Sequence, residues 1–238
     1  MLKTIVPVKT ICSTFSPWKS EMRSFFNMRK IKRAFRRYVY QSESKPPYFH
    51  ITQVGDPVLR TPTLPVNFEV IKLFPFQMVI KQMKVLMDIY DVVGLSACQI
   101  GLPWKVFMIQ VKEKHLKEIG ENLAKIREME VIPLQVFINP TIRTIDHKLI
   151  SFPEVCASVR GYSAEVPRVK EVEIKAFNDT SQEVTVRFKG WAARIVQHEM
   201  DHLNGILFTD KMDRRTFSCC CWNEVNKHKG LIEIRFDS

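Results

Sequence analysis

Residues 198–202 read His-Glu-Met-Asp-His, a spacing that carries chemistry only when wound into a helix. Residues four apart share one face of an α-helix, so His198 and His202 project the same way and can share one divalent metal ion. Glu199 then sits beside the ion without being needed as a ligand, where a carboxylate can move the protons of a water at the metal. The surrounding residues agree. Trp191, Ile195, Val196 and Leu203 form an apolar stripe at helical spacing, Gly190 precedes the run, and Gly205 can close it in the left-handed conformation. Five residues are a short motif, however. A polar helix face whose two histidines are satisfied by hydrogen bonds would read the same, so the motif needs support from elsewhere in the chain.

The length of 238 residues suits one good core with an appendage. A hydrophobic share of 45% and a charged share of 26% are ordinary for a soluble protein. No apolar run approaches the ~20 residues of a membrane-spanning helix. The net charge of +11 resembles a nucleic-acid signature until it is located. Residues 1–40 hold ten Lys and Arg side chains and a single acid, Glu21. The rest of the chain is nearly neutral, so no specific nucleic acid is expected as a partner. The arm is basic, acid-poor, and contains Ser, Thr and scattered Phe and Val. It lacks a continuous apolar segment, which fits a mitochondrial transit peptide better than a secretory signal. A basic arm that contacts RNA or the ribosome is the alternative. Removal of the arm is expected between Met28 and Ser44, with the catalytic domain over residues 45–238. Cys12, Cys98, Cys156 and the run Cys219-Cys220-Cys221 show no disulfide-framework spacing, which favours a reducing compartment. Three consecutive side chains diverge on a helix or strand, so the cysteine run reads as a surface or packing feature.

The rest of the chain divides by periodicity. Apolar side chains at 76, 79, 80, 83, 86, 87 and 90 predict a helix over 76–90, with Pro75 near its start. Gly94 to Gly101 reads as a small-residue loop or short strand. Val106–Val111 and Leu134–Ile138 read as strands, the second ended by Asn139-Pro140. The charged stretch 112–129 reads as a solvent-facing insertion. Residues 150–159 are extended and interrupted by Pro153. Residues 169–177 and 183–188 alternate as strands about a turn at Asn178-Asp179-Thr180-Ser181.

Two imidazoles leave a metal short of ligands, since catalytic sites take three protein ligands plus an open position. Cys156, His147, His115, Asp201 and Glu154 are the candidates for the third. Cys156 is the best placed, in the irregular stretch Pro153-Glu154-Val155-Cys156-Ala157-Ser158, although a small buried hydrophobe is an equal reading of a lone Cys.

Gly94-Leu95-Ser96-Ala97-x-Gln99, Glu154-x-Cys156-x-Ser158 and His198-Glu199-Met200-Asp201-His202 occur in this order. Together they resemble the three signature motifs of the peptide deformylase family. Asp56-Pro57-Val58-Leu59-Arg60 and Gly190-Trp191-Ala192-Ala193-Arg194-Ile195 add to the likeness, which spans about Gly55 to Asp213 and is nearest the animal mitochondrial branch. The resemblance implies an α+β fold, with antiparallel strands in small sheets packed around the central H-E-x-x-H helix. It implies Cys156, His198 and His202 as metal ligands, for Fe²⁺ physiologically, with Zn²⁺, Co²⁺ or Ni²⁺ accepted. It implies Glu199 as the general acid and base. Gln99 and the backbone N–H of Ala157 would stabilise the oxyanion, each donor worth ~3 kcal/mol. Val93, Gly94 and Ile195 match positions that border the substrate, Gly94 offering its backbone in strand fashion. The implied reaction is removal of the formyl group from N-formyl-methionine of newly made chains at the mitochondrial ribosome, in the matrix. Glu154 is expected to be a structural salt-bridge anchor.

The chain departs from the family pattern at Val155, where Gly is usual, and at Val92, Cys98 and Ala157. Val155 forbids a positive φ and is expected to add bulk near the oxyanion donor. Two other functions stay open on the sequence. A zinc endopeptidase would take its third ligand downstream, where His228 and a few acids are the only choices. A weak or inactive relative would keep the metal for folding and serve as a binding or regulatory module.

Overall fold

The computed structural model describes residues 45–230; the basic arm and the expectation attached to it lie outside them. Six antiparallel strands form one sheet: β1 (Gly94–Ser96), β2 (Val106–Val111), β3 (Ile132–Cys156), β4 (Val159–Phe177), β5 (Glu183–Lys189) and β6 (Ser218–Cys219). They pair in the order β1-β2-β3-β4-β5, with β6 added to β4. The helices are α1 (Phe74–Tyr90), α2 (Glu113–Ile119), α3 (Glu121–Ile126), α4 (Gly190–Leu203) and α5 (Trp222–Lys227). The α+β architecture with antiparallel strands is therefore as expected, and the strands join in one continuous sheet.

β2 explains how the site is held. Apart from Gln110 its residues are apolar on both faces because both are covered. Val106 and Met108 face one core with Phe76, Ile80, Met83 and Leu86 of α1. Phe107, Ile109 and Val111 face the other with Ala193, Ile195 and Val196 of α4. β3 alternates in the same way, Val136 and Ile138 to the first core and Phe137 to the second. The period of two along each strand thus sorts side chains between two helices, and α4 is pressed onto the sheet beside β1, β2, β4 and β5.

β3 does not stop at Asn139-Pro140. Asn139 takes φ +53°, and its side chain bonds both backbone groups of Val66, at 2.8 and 2.7 Å. The ladder shifts register between Ile138 and Thr141 and then resumes. A bulge is where a ladder forgoes hydrogen bonds anyway, so Pro140 costs little there. Pro153 falls in the stretch of β3 that pairs with β4 alone, so no second ladder is lost to its missing N–H. The insertion at 112–129 folds as α2 and α3, with His115 and Ala124 buried. α1 begins two residues before the apolar pattern does, with Pro75 in its first turn.

Gly205 ends α4 at φ +72°, and a Cβ there would lie 2.6 Å from the backbone oxygen of Arg60. The left-handed conformation costs an L-residue ~1–2 kcal/mol before that clash is counted. Gly205→Ala should therefore lower the unfolding free energy by at least about 2 kcal/mol in denaturant titration. A loss below about 0.5 kcal/mol would show that the close approach to Arg60 is not maintained.

Candidate metal centre and active site

Two elements converge. β3 ends at Cys156, and α4 carries His198 and His202 one turn apart. Their ligand atoms all lie within 4.8 Å of one another. Cys156 Sγ is 3.2 Å from His202 Nε2, and the two imidazole rings are 5.0 Å apart at 79°. A thiolate and two imidazoles at this spacing suit a divalent first-row ion such as iron or zinc, with a position left open. His198 fits that use. Its Nδ1 lies 3.1 Å from Glu154 Oε2, so Nδ1–H donates outward and Nε2 turns to the centre. Burial alone would raise the Cys156 thiol, but His202 and then His198 outweigh it and hold it well below the ordinary range. That direction favours the thiolate, the form that binds metal.

Glu154 lies two residues before Cys156, so the strand period puts both side chains inward and Val155 between them outward. Glu154 and Cys156 are each 6% exposed, and Val155 is 56% exposed. Val155 sits in extended, paired backbone opposite Ser163. It needs no positive φ and adds no bulk at the centre, contrary to the expectation from sequence.

Glu154 accepts four hydrogen bonds. Arg168 donates Nε to Oε1 and Nη2 to Oε2, both at 2.9 Å. Arg194 donates Nη1 to Oε1 at 2.7 Å, and His198 supplies the fourth. That fills a carboxylate's lone-pair sites. Burial opposes ionisation, but Arg168 and His198 hold the Glu154 carboxyl far below its ordinary value. Arg168 also pairs with Asp201 of the motif, which Lys211 reaches from the other side. Arg194 bonds the carbonyls of Val166 and Ile150. The anchoring role expected of Glu154 is what its contacts show. Asp201 is drawn to these cations, His115 to Asp91, and His147 is exposed on β3; none joins the centre.

Glu199, next to His198 on α4, is buried. Ser96 Oγ donates to its Oε2 at 2.6 Å. Gly94 packs so closely that a Cβ there would fall 2.3 Å from Oε1. Burial raises the Glu199 carboxyl above its ordinary range, outweighing the lowering by His202, His198 and the Ser96 hydrogen bond. Gln99 Oε1 accepts the Ser96 N–H at 2.9 Å, which fixes the amide flip. Its Nε2 is thereby aimed at Ser158 Oγ, 3.1 Å away, and at Cys156 Sγ, 3.9 Å away. Ala157 stands in the two-residue turn between β3 and β4, held through its carbonyl by Gln53 Nε2 at 2.9 Å. Gly94 lies on β1, an edge strand of the sheet. Val93 packs against the core cluster that contains Ile195, itself only 5% exposed. The sequence reading assigned no role to Ser96, Ser158 or Arg168. Ser96 and Ser158 lie inside quoted motifs and could have been read from them. Arg168 sits in a strand with no local signal.

A thiolate–imidazole–imidazole centre with a buried carboxylate alongside defines a metal-dependent hydrolase. Residues 48–218 match the family described as polypeptide deformylase. The chain is 43% identical over 182 residues to the mitochondrial peptide deformylase of Homo sapiens, covering 76% of this chain and 75% of that one. It is 36% identical over 167 residues to the chloroplastic peptide deformylase 1A of Solanum lycopersicum, covering 70% of this chain and 60% of that one. The crystal structure of a Synechococcus elongatus peptide deformylase in complex with actinonin superposes with a TM-score of 0.59 at 30% identity, over 79% of this chain and 89% of that one. The Thermotoga maritima peptide deformylase gives 0.58 at 31% identity, over 70% and 98%. The chain belongs to the peptide deformylase family.

Two outcomes follow from the geometry. Glu154→Ala leaves buried Arg194 without a carboxylate and Arg168 with Asp201 alone, so it should cost about 3–5 kcal/mol of stability near neutral pH. Wild-type Glu154 is depressed in the fold, so its contribution is complete above the ordinary 4.5 and fades as pH falls below it. The stability gap between wild type and Glu154→Gln should narrow in acid; a gap unchanged well below pH 4.5 would contradict the anchoring role.

Proposed function

We propose that this protein is an organellar peptide deformylase that hydrolyses the N-terminal formamide of formyl-methionyl chains and releases formate. The convergence of Cys156, His198 and His202 beside Glu199 and Gln99 carries the reading. A divalent ion held by those three side chains supplies Lewis acidity and brings the pKa of a water towards about 7.

The remaining work falls to the chain itself. Glu199 takes a proton as water attacks the formyl carbon and returns one to the departing amine. Its raised affinity for protons, a consequence of burial, suits a group that must both take and give. Ser96 holds one carboxylate oxygen, leaving the other for the proton. Charge gathers on the formyl oxygen, where Gln99 Nε2 and the Ala157 N–H donate. The peptide adds to the edge strand β1 through Gly94, and Val93 with Ile195 shapes the wall of the methionine pocket. A Cβ at Gly94 would displace Glu199, so Gly94 serves both substrate and base.

The human mitochondrial and plant plastid relatives support organellar work. The basic arm over residues 1–40 is assigned to import into the matrix, where the domain over 45–238 meets chains leaving the mitochondrial ribosome. Iron(II) is assigned as the native ion, its thiolate ligand making the loaded form sensitive to air. An endopeptidase would need a ligand downstream of the motif, a place that Cys156 makes unnecessary. The inactive relative rested on Val155, whose side chain points away from the centre.

The test is metal content together with formate release from formyl-Met-Ala-Ser, on protein prepared without oxygen. Glu199→Ala should keep its metal and lose at least about a thousandfold in kcat/KM. Gln99→Ala should lose about 10²–10³-fold, chiefly in kcat. Gly94→Ala should lose activity with metal retained. Metal-loaded wild type that released no formate would end the proposal. Residues 1–44 fused to a fluorescent reporter should enter mitochondria; a reporter left in the cytosol would remove the import assignment alone.

A further inference from the structure

Cys219 and Cys221 do not diverge as three consecutive residues on one regular element would. β6 ends at Cys219, and Cys221 caps α5 with φ −112° and ψ 20°. The chain bends between them and brings the two sulfurs to 3.4 Å. Neighbouring hydrogen bonds hold that bend. Cys219 pairs with Tyr162 on β4, the Cys220 N–H donates to Gly161 O at 2.8 Å, and the Val225 N–H donates to Cys221 O at 3.0 Å. Ser218 Oγ meets Ser163 Oγ at 3.3 Å. Cys220 and Cys221 are exposed and Cys219 is half-buried, so small solutes reach the pair. The formyl-hydrolysing centre uses none of these thiols.

We propose that Cys219 and Cys221 form a thiol–disulfide exchange site that closes to an intramolecular disulfide on meeting a low-molecular-weight disulfide of the glutathione type. The ionised Cys219 sulfur attacks one sulfur of R–S–S–R and expels RS⁻, which takes up a proton equivalent to the one Cys219 released. The hydrogen bond to Cys219 raises the Cys221 thiol above its ordinary value, so Cys221 keeps its proton through this step. Cys221 then attacks the Cys219 sulfur of the mixed disulfide, and its proton leaves with the second RS⁻. Two protein thiols are oxidised to one disulfide, and the small disulfide is reduced to two thiols. Prior alignment of the sulfurs makes the second step intramolecular and fast, so the mixed disulfide does not accumulate. The inference is independent of the deformylase reading.

The full-length, metal-loaded protein is incubated with oxidised glutathione, quenched by alkylation and digested with trypsin. Residues 216–227 form one peptide that carries all three cysteines. The expected wild-type peptide lacks two hydrogens and is alkylated once, at Cys220. Cys220→Ser should still close the ring. Cys221→Ser, which lacks the resolving thiol, should hold at least about tenfold more glutathione on this peptide than wild type, and Cys219→Ser should form no ring. These substitutions lie near the surface, and circular dichroism checks that each variant is folded. A wild-type peptide alkylated three times, one that retains glutathione, or one bridged through Cys220 would overturn the proposal.

Discussion

The buried carboxylate of Glu154 is the contact on which the rest of the centre depends. It joins β3 to β4 through Arg168 and to α4 through Arg194 and His198. The partners lie on two elements, β4 and α4, so the register of β3 against β4 and the depth of α4 on the sheet are set by one group. The charges would be costly if any were left over. Two guanidiniums face Glu154 and Asp201, Lys211 comes in from the rim, and the carboxylate accepts a full complement of donors. A buried ionic cluster adds little net stability beside an apolar one, but it tolerates almost no displacement. That intolerance is useful here, because Cys156 is two residues from Glu154 along the strand and moves with it.

The second constraint is closeness. Gly94 lies against Glu199, and Ser96 on the same short strand grips the carboxylate. The strand proposed to border the substrate thus also holds the carboxylate proposed as the base. Gln99, one turn further on, is fixed through the Ser96 N–H, so one seven-residue segment, 93–99, orders the proposed base, oxyanion donor and peptide edge together. Such coupling explains why small residues crowd this segment. Any added side chain would separate functions that must be met within one hydrogen-bond length.

Much of this was legible in the chain. α4 was readable because its apolar stripe, its His pair and Gly205 all imply the same helix. The alternation in β2 and β5 was clear. β3 was not, because Pro140 and Pro153 read locally as terminators, and only pairing partners show that a bulge absorbs one and a strand edge the other. Arg168 could not be assigned at all. A charged residue in a strand reads as solvent-facing until the carboxylate 14 residues away in sequence is seen to meet it. The cysteine run misled for a related reason: its divergence assumes one regular element, and it straddles two.

Glu154 and Glu199 both act on the Cys156–His198–His202 centre yet serve opposite ends, and environment alone separates them. Four donors saturate Glu154, and its affinity for a proton falls out of reach of any working pH. Glu199 has one short side-chain hydrogen bond, from Ser96, and its burial outweighs that bond and the pull of His202 and His198, so its affinity rises. A carboxylate that must hold a histidine in one tautomer should never take a proton; one that must shuttle a proton should give it up with little bias. Two chemically similar side chains are pushed apart in pKa by donor count. The position of the H-E-x-x-H motif points to the proposed base, and the count of donors around each explains why Glu154 is unsuited to that role.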